Sequence, residues 1–163
     1  MVNSRKGARQ IFEREFEPIT KFEVVAAQDT WAKYIIARDV EALLKLYDYG
    51  TPEEPLLFKP TLADVIRLDE EAARSYFVGG NPKYPHDDGF LNRGWEQVNF
   101  NSAAGPISDT GGLGFWDMGH YTFVDRNGNK TDADYTFAYH KLKGKVLISL
   151  QHSSLAWQPP TND

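Results

Sequence analysis

The chain has no cysteine, two methionines and four histidines in 163 residues. The lack of cysteine excludes disulfides, thiolate metal sites and a cysteine nucleophile. Histidine is then the only nitrogen ligand for a zinc-type metal, which at a catalytic site ordinarily takes three protein ligands. Long apolar runs are also missing. Residues 24–27 and 34–37 are the longest candidates, against the roughly 20 residues of a membrane helix. Excess positive charge is absent too: 18 Lys and Arg against 23 Asp and Glu leave a net charge of −5. Nucleic-acid affinity comes largely from cations on phosphates, so neither a nucleic acid nor a membrane is expected as a partner. Arg5, Lys6 and Arg9 open the chain, but Glu13, Glu15 and Glu17 follow where a secretory signal would need an apolar stretch. We expect a cytoplasmic protein with a flexible arm over 1–17, one domain over 18–158 and a tail over 159–163.

The 41% hydrophobic share is enough for one core at this length. Thr20 and Glu23 have capping-box spacing, and Val24, Ala27, Trp31 and Ile35 then form an apolar stripe with helical period. Asp39 can cap a second helix carrying Val40, Leu43, Leu44 and Tyr47. Residues 56–62 are a short strand candidate, with Pro60 marking a bend. Residues 69–77 predict a small helix ended by Gly79, on which Leu68, Ala72 and Tyr76 lie four apart and turn Tyr76 inward. Beyond Phe90 the texture is strand and turn: 90–101, 115–125, 132–142 and 145–155 are strands, and 102–114 is a loop without period. Helices followed by a meander of strands mean α+β, with the sheet curled around the helices.

The last strand carries a polar end. Strict alternation puts Val146, Ile148, Leu150, His152 and Ser154 on one face and Leu147, Ser149, Gln151 and Ser153 on the other. The first set begins as a core stripe and finishes with two polar side chains. Either these line a polar pocket, or the strand leaves the core there and His152 meets solvent. The histidines offer no ready chelate, because no pair has the two-apart strand spacing or the four-apart helix spacing. His86 reads as a solvated loop residue, His120 as a hydrogen-bonded structural one and His140 as exposed at a strand end. A metal would need them united with Asp117 or Asp134 by tertiary contact.

Five segments occur in order: Leu56 to Leu62 with Lys59-Pro60-Thr61, Ser75 to Asn81 with Tyr76-Phe77-Val78-Gly79-Gly80, Gly89-Phe90, Asp117 to Phe123, and Gln151-His152-Ser153-Ser154-Leu155. Together they resemble the iota class of carbonic anhydrases over about residues 20–157. The resemblance implies the cone-shaped, curved antiparallel sheet of the nuclear-transport-factor-like fold, shared with the association domain of calcium/calmodulin-dependent kinase II. It further implies a homodimer and the reversible hydration of carbon dioxide to bicarbonate and a proton. Many members carry a run of histidines before the two serines, whereas Leu150 and Gln151 stand here. That departure makes the chain similar to the members that work without metal, so no cofactor is expected.

A zinc site lowers the pKa of bound water from about 15.7 to about 7, a change of roughly 12 kcal/mol. Without it, the water proton must be removed as oxygen attacks carbon, a general-base effect of about 10²–10⁴-fold. The positions matching the family site are Thr61, Tyr76, His152 and Ser154. By this resemblance His152 is the base or relay, Thr61 and Ser154 position water and bind substrate, and Tyr76 donates to the anionic product. Ser153 is expected on the opposite face, with Ile148 and Leu150 as a dry wall. Two rivals remain. One is a non-enzymatic assembly module using Tyr135, Phe137 and Tyr139. The other is an isomerase-type enzyme with a buried carboxylate, Asp117 or Asp134, facing a tyrosine.

Overall fold

Thr20 stops the extended chain and starts the first helix, α1 (Lys21–Ala37), in the computed structural model, which describes residues 14–109 and 111–161. Glu23 N–H donates to the Thr20 hydroxyl at 3.3 Å while the Glu23 carboxylate accepts from Thr20 N–H at 2.9 Å, so both orphan donors are satisfied. Val24, Trp31 and Ile35 are buried as the stripe predicts; Ala27 is half-buried, and the polar Gln28 is buried beside them. Asp39 caps α2 (Val40–Leu44), after which Tyr47 is buried. The edge strand β2 (Leu57–Lys59) leads to α3 (Glu70–Val78), capped by Asp69 and closed by Gly79 at φ 72°. On α3 Phe77 takes the deep position, Tyr76 is half-buried at the margin, and Leu68 before it is exposed.

The segment expected as one strand from Phe90 begins instead with a 3-10 turn (Phe90–Arg93) between two positive-φ glycines, Gly89 and Gly94. The strand β3 (Trp95–Ser102) follows, and a two-residue strand β4 (Ile107–Ser108) interrupts the expected loop. Three long strands complete the chain: β5 (Gly114–Asp125), β6 (Lys130–Leu142) and β7 (Lys145–Leu155). The sheet order is β2-β7-β6-β5-β3, with β4 on β5. All pairs are antiparallel except β2, which lies parallel to β7, so the sheet is mixed where the sequence predicted an antiparallel one. A further strand, β1 (Phe16–Glu17), pairs with Leu142 and Lys141. The arm expected over 1–17 is therefore part of the sheet at its end, and the rest of that expectation, 1–13, lies outside the described residues. Among the described residues no helix is long and apolar enough to cross a membrane.

The curved sheet closes over α1 through aromatic rings. Trp31 has Phe100, Tyr121, Phe123 and Phe137 at 5.8, 5.9, 6.2 and 6.1 Å between centroids. Such pairs each contribute about 0.5–1.5 kcal/mol beyond the burial of their area. Tyr135, Phe137 and Tyr139 are buried on this inner face, so they serve the core and not an open contact surface.

One residue in β7 decides which side chains enter the cone. Tyr139 pairs with Ile148 and Ala138 with Leu150, so Ser149 is an extra residue in a β-bulge. Its hydroxyl donates to Ala138 C=O at 3.3 Å. The extra residue shifts the alternation by one. Ile148 points inward, and beyond the bulge Gln151 and Ser153 are the buried residues while His152 and Ser154 are exposed. The face assigned to His152 and Ser154 by strict alternation is corrected accordingly.

Candidate active site

Thr61 follows Pro60 at the end of β2, in a turn where Ala63 N–H donates to Pro60 C=O at 3.2 Å. Leu62 takes the left-handed conformation at φ 61°, costly for a residue with a Cβ, and the turn holds Thr61 over the inner end of β7. There the Thr61 and Ser153 hydroxyls form a short hydrogen bond. With Tyr76, Tyr121 and Gln151 they wall a small chamber of about 20 Å³, room for one water molecule. Phe58, Phe77, Phe90 and Phe123 supply its apolar walls.

The chamber adjoins a larger vestibule of about 210 Å³, and Thr61, Tyr76, Phe90 and Phe123 line both. Tyr76 is held by α3 with its ring stacked on Phe90 at 5.6 Å. Burial pushes its phenol well above the ordinary tyrosine value, so it is a donor and not a base. His86, Asp87, Asp88 and Arg93 lie along the vestibule. Asp87 is fixed: both its oxygens accept from the fully buried Arg67 at 2.8 Å, Ser75 donates at 2.6 Å, and Arg67 stacks on Tyr84 at 4.1 Å. This buried pair ties the loop before Phe90 to the body and so shapes the vestibule wall.

A second polar group set, on the outer face, is separate. His152 and Ser154 share a groove with His120 and Asp134. His120 and Asp134 form a 2.6 Å hydrogen bond with side chains 64% and 44% exposed, where water screens it. The fold thus brings Thr61 and Tyr76 together and puts His152 and Ser154 across the sheet from them. Ser153, expected on the opposite face, is the one that meets Thr61, because the bulge turns it inward. His140 is not exposed as expected but half-buried, bonded with Arg14 to Asp48. Those partners hold the Asp48 carboxyl well below its ordinary range against the opposing effect of burial. His86 is an exposed loop residue, as expected, yet it also lines the vestibule. Among the described residues no three His, Asp or Glu side chains are grouped to hold a metal ion.

Asp117 is buried and does face a tyrosine, Tyr135, whose hydroxyl donates to it at 2.9 Å. Gln28 donates at 2.7 Å and Ser102 also donates, and neither the chamber nor the vestibule reaches this carboxylate. It is a core anchor without substrate access.

Residues 22–155 match the family model described as metal-independent carbonic anhydrase. The metal-independent carbonic anhydrase of Nostoc sp. strain PCC 7120 is 35% identical over 157 residues, covering 86% of this chain and 75% of that protein. The crystal structure of an iota-carbonic anhydrase from a cyanobacterium, complexed with bicarbonate, is similar at a TM-score of 0.76 and 31% identity, over 87% of this chain and 95% of that one. A calcium/calmodulin-dependent protein kinase II association domain from Xanthomonas campestris is similar at a TM-score of 0.62 and 26% identity, over 82% of this chain and 86% of that one.

Proposed function

This chain belongs to the metal-independent carbonic anhydrase family and is a carbonic anhydrase of the iota class; from that premise we propose that it hydrates carbon dioxide where the inner chamber meets the vestibule, by general-base activation of water, without a metal. The observation that carries this reading is the Thr61–Ser153 hydroxyl pair in a chamber sized for one water that adjoins a vestibule with both aromatic and polar walls. The two hydroxyls hold the water, each able to donate and accept. Carbon dioxide, which needs no polar contact to enter, rests against Phe90 and Phe123. As the water oxygen bonds to carbon, charge develops on the carbon dioxide oxygens, and Thr61 and Tyr76 donate to them. The water proton passes outward through water in the vestibule to His86, the imidazole among its lining residues. In this reading Ser153 and His86 take over the parts that the resemblance gave to Ser154 and His152.

The test is a pH-indicator assay of bicarbonate formation on chelator-treated protein, with metal content measured on the same sample. Activity lost on Thr61→Ala supports the reading. Activity that appears only with added zinc or manganese overturns the metal-free mechanism, and inactivity in every condition overturns hydration itself.

We also infer a cytoplasmic homodimer that buries the β4–β5 patch of the outer sheet face and leaves the groove of His152 open. Ile107, Trp116 and Met118 are 58%, 61% and 62% exposed there, with Ile107 paired directly to Trp116. Light scattering on the eluting protein should give twice the chain mass, and Trp116→Glu should return it to the monomer.

A further inference from the structure

Behind the chamber a row of buried polar side chains leads from α1 to Thr61. Trp31 Nε1–H donates to the Tyr47 hydroxyl at 2.9 Å, and Tyr47 O–H donates to Gln151 Oε1 at 2.6 Å. Gln151 Nε2–H donates to the Tyr121 hydroxyl oxygen at 3.4 Å. Tyr121 lies against Ser153 in the chamber wall, and Ser153 bonds Thr61. Trp31, Tyr47, Gln151 and Tyr121 are each no more than 3% exposed, so bulk water does not compete for these bonds.

An indole N–H can only donate. Its bond to Tyr47 therefore occupies the phenol oxygen, and among the described residues the Tyr47 proton has one acceptor, Gln151. Gln151 must then present its carbonyl to Tyr47 and its amide N–H to Tyr121. Tyr121 accepts from Gln151, so its own proton is free for the neighbouring Ser153, and the Ser153–Thr61 bond, in which either hydroxyl can donate, then runs from Ser153 to Thr61. The Thr61 proton is left to point into the chamber. Burial raises the Tyr47 phenol well above its ordinary value and pushes that of Tyr121 up to about 12, so both stay neutral and each keeps a proton to donate.

We propose that Trp31, Tyr47, Gln151 and Tyr121 are positioning residues that fix the direction of the hydrogen-bond row, so that Thr61 presents a permanent O–H donor to the oxygen of bicarbonate as it forms. This inference rests on the hydration reading for its consequence, but the direction of the row is a property of the protein alone. It gives the buried Gln151 a role: an amide that accepts on one side and donates on the other passes the direction along, whereas a carboxylate would accept on both.

Neutron diffraction from the full-length, deuterium-exchanged protein reads each hydroxyl directly. The expected map has the Tyr121 deuteron toward Ser153 and the Ser153 deuteron toward Thr61; a Tyr121 deuteron toward Gln151 overturns the proposal whether or not the enzyme is active. In kinetics, Tyr47→Phe removes a hydroxyl that lines neither cavity and frees Gln151 to turn over. Its KM for bicarbonate should rise about tenfold in the dehydration direction at a temperature where it remains folded. Gln151→Glu should lose at least about tenfold in kcat/KM when ionised and regain it relative to wild type as pH falls, because the neutral acid again donates to Tyr121. Stability losses with unchanged KM and an unchanged pH profile in both variants would reduce the row to a structural element. Wild type without hydration activity would instead overturn the function and leave the neutron map to decide the row.

Discussion

The two faces of β7 carry nearly the same chemistry and differ in everything around it. Outside, His152 and Ser154 stand with His120 and Asp134 in an open groove, where water competes for each hydrogen bond. Inside, Gln151 and Ser153 are buried and every polar atom is engaged by a neighbour, from Trp31 to Thr61. A buried hydroxyl without a partner is costly, so the inner groups are held in place and can act as fixed donors. The outer histidines have the more familiar catalytic side chains but no enclosure. Residue type alone therefore does not tell the two faces apart; enclosure does.

The contrast can be broken most severely at the vestibule wall. Arg67→Ala strands the buried Asp87 carboxylate and should cost about 3–5 kcal/mol in urea unfolding. The exposed equivalent, His120→Ala, should cost less than about 1 kcal/mol in the same measurement. Next comes activity. Ser153→Ala and Thr61→Ala should each lower kcat/KM about a hundredfold in stopped-flow hydration, while His152→Ala should stay within about twofold of wild type. A large loss at His152 with none at Ser153 would reverse the assignment of the faces.

Acid sharpens the comparison at the other end of β6. Asp48 has its pKa depressed in the fold by His140, Arg14 and Gly50 N–H. Its contribution is therefore fully present above the unfolded value of about 4 and is lost as pH falls below that toward the lower folded value. Asp48→Asn should flatten the fall in unfolding free energy between about pH 4 and pH 2 relative to wild type. The smallest effect belongs to the turn that carries Thr61. Leu62→Gly should raise stability by about 1 kcal/mol or less, since the left-handed strain disappears and a 73% exposed side chain loses little packing.

Much of the architecture was legible because it is written in local rules. The Thr20–Glu23 box, the Asp39 cap and the Gly79 stop each depend on a few adjacent residues, and the structure has all three. The structure puts two of the positions named by the resemblance, Thr61 and Tyr76, on one cavity and the other two, His152 and Ser154, on the outer face. The alternation reading of the last strand differs from the structure for a definite reason. Alternation assumes one residue per step, and the Ser149 bulge adds one, which sends His152 and Ser154 outward and Ser153 inward. Nothing in the Leu147-Ile148-Ser149-Leu150 pattern marks that extra residue, because it arises from pairing with Ala138 on a neighbouring strand.

The absence of cysteine, the scattered spacing of the four histidines, the helix caps, the strand meander and the family motifs are properties of the sequence by itself, fixed by residue chemistry and short-range spacing. The parallel docking of β2 on β7, the face that Ser153 occupies and the buried row from Trp31 to Thr61 were decided only by tertiary structure. Each joins residues far apart in the chain, and their positions follow from strand register and the closure of the sheet around α1, which no local pattern specifies.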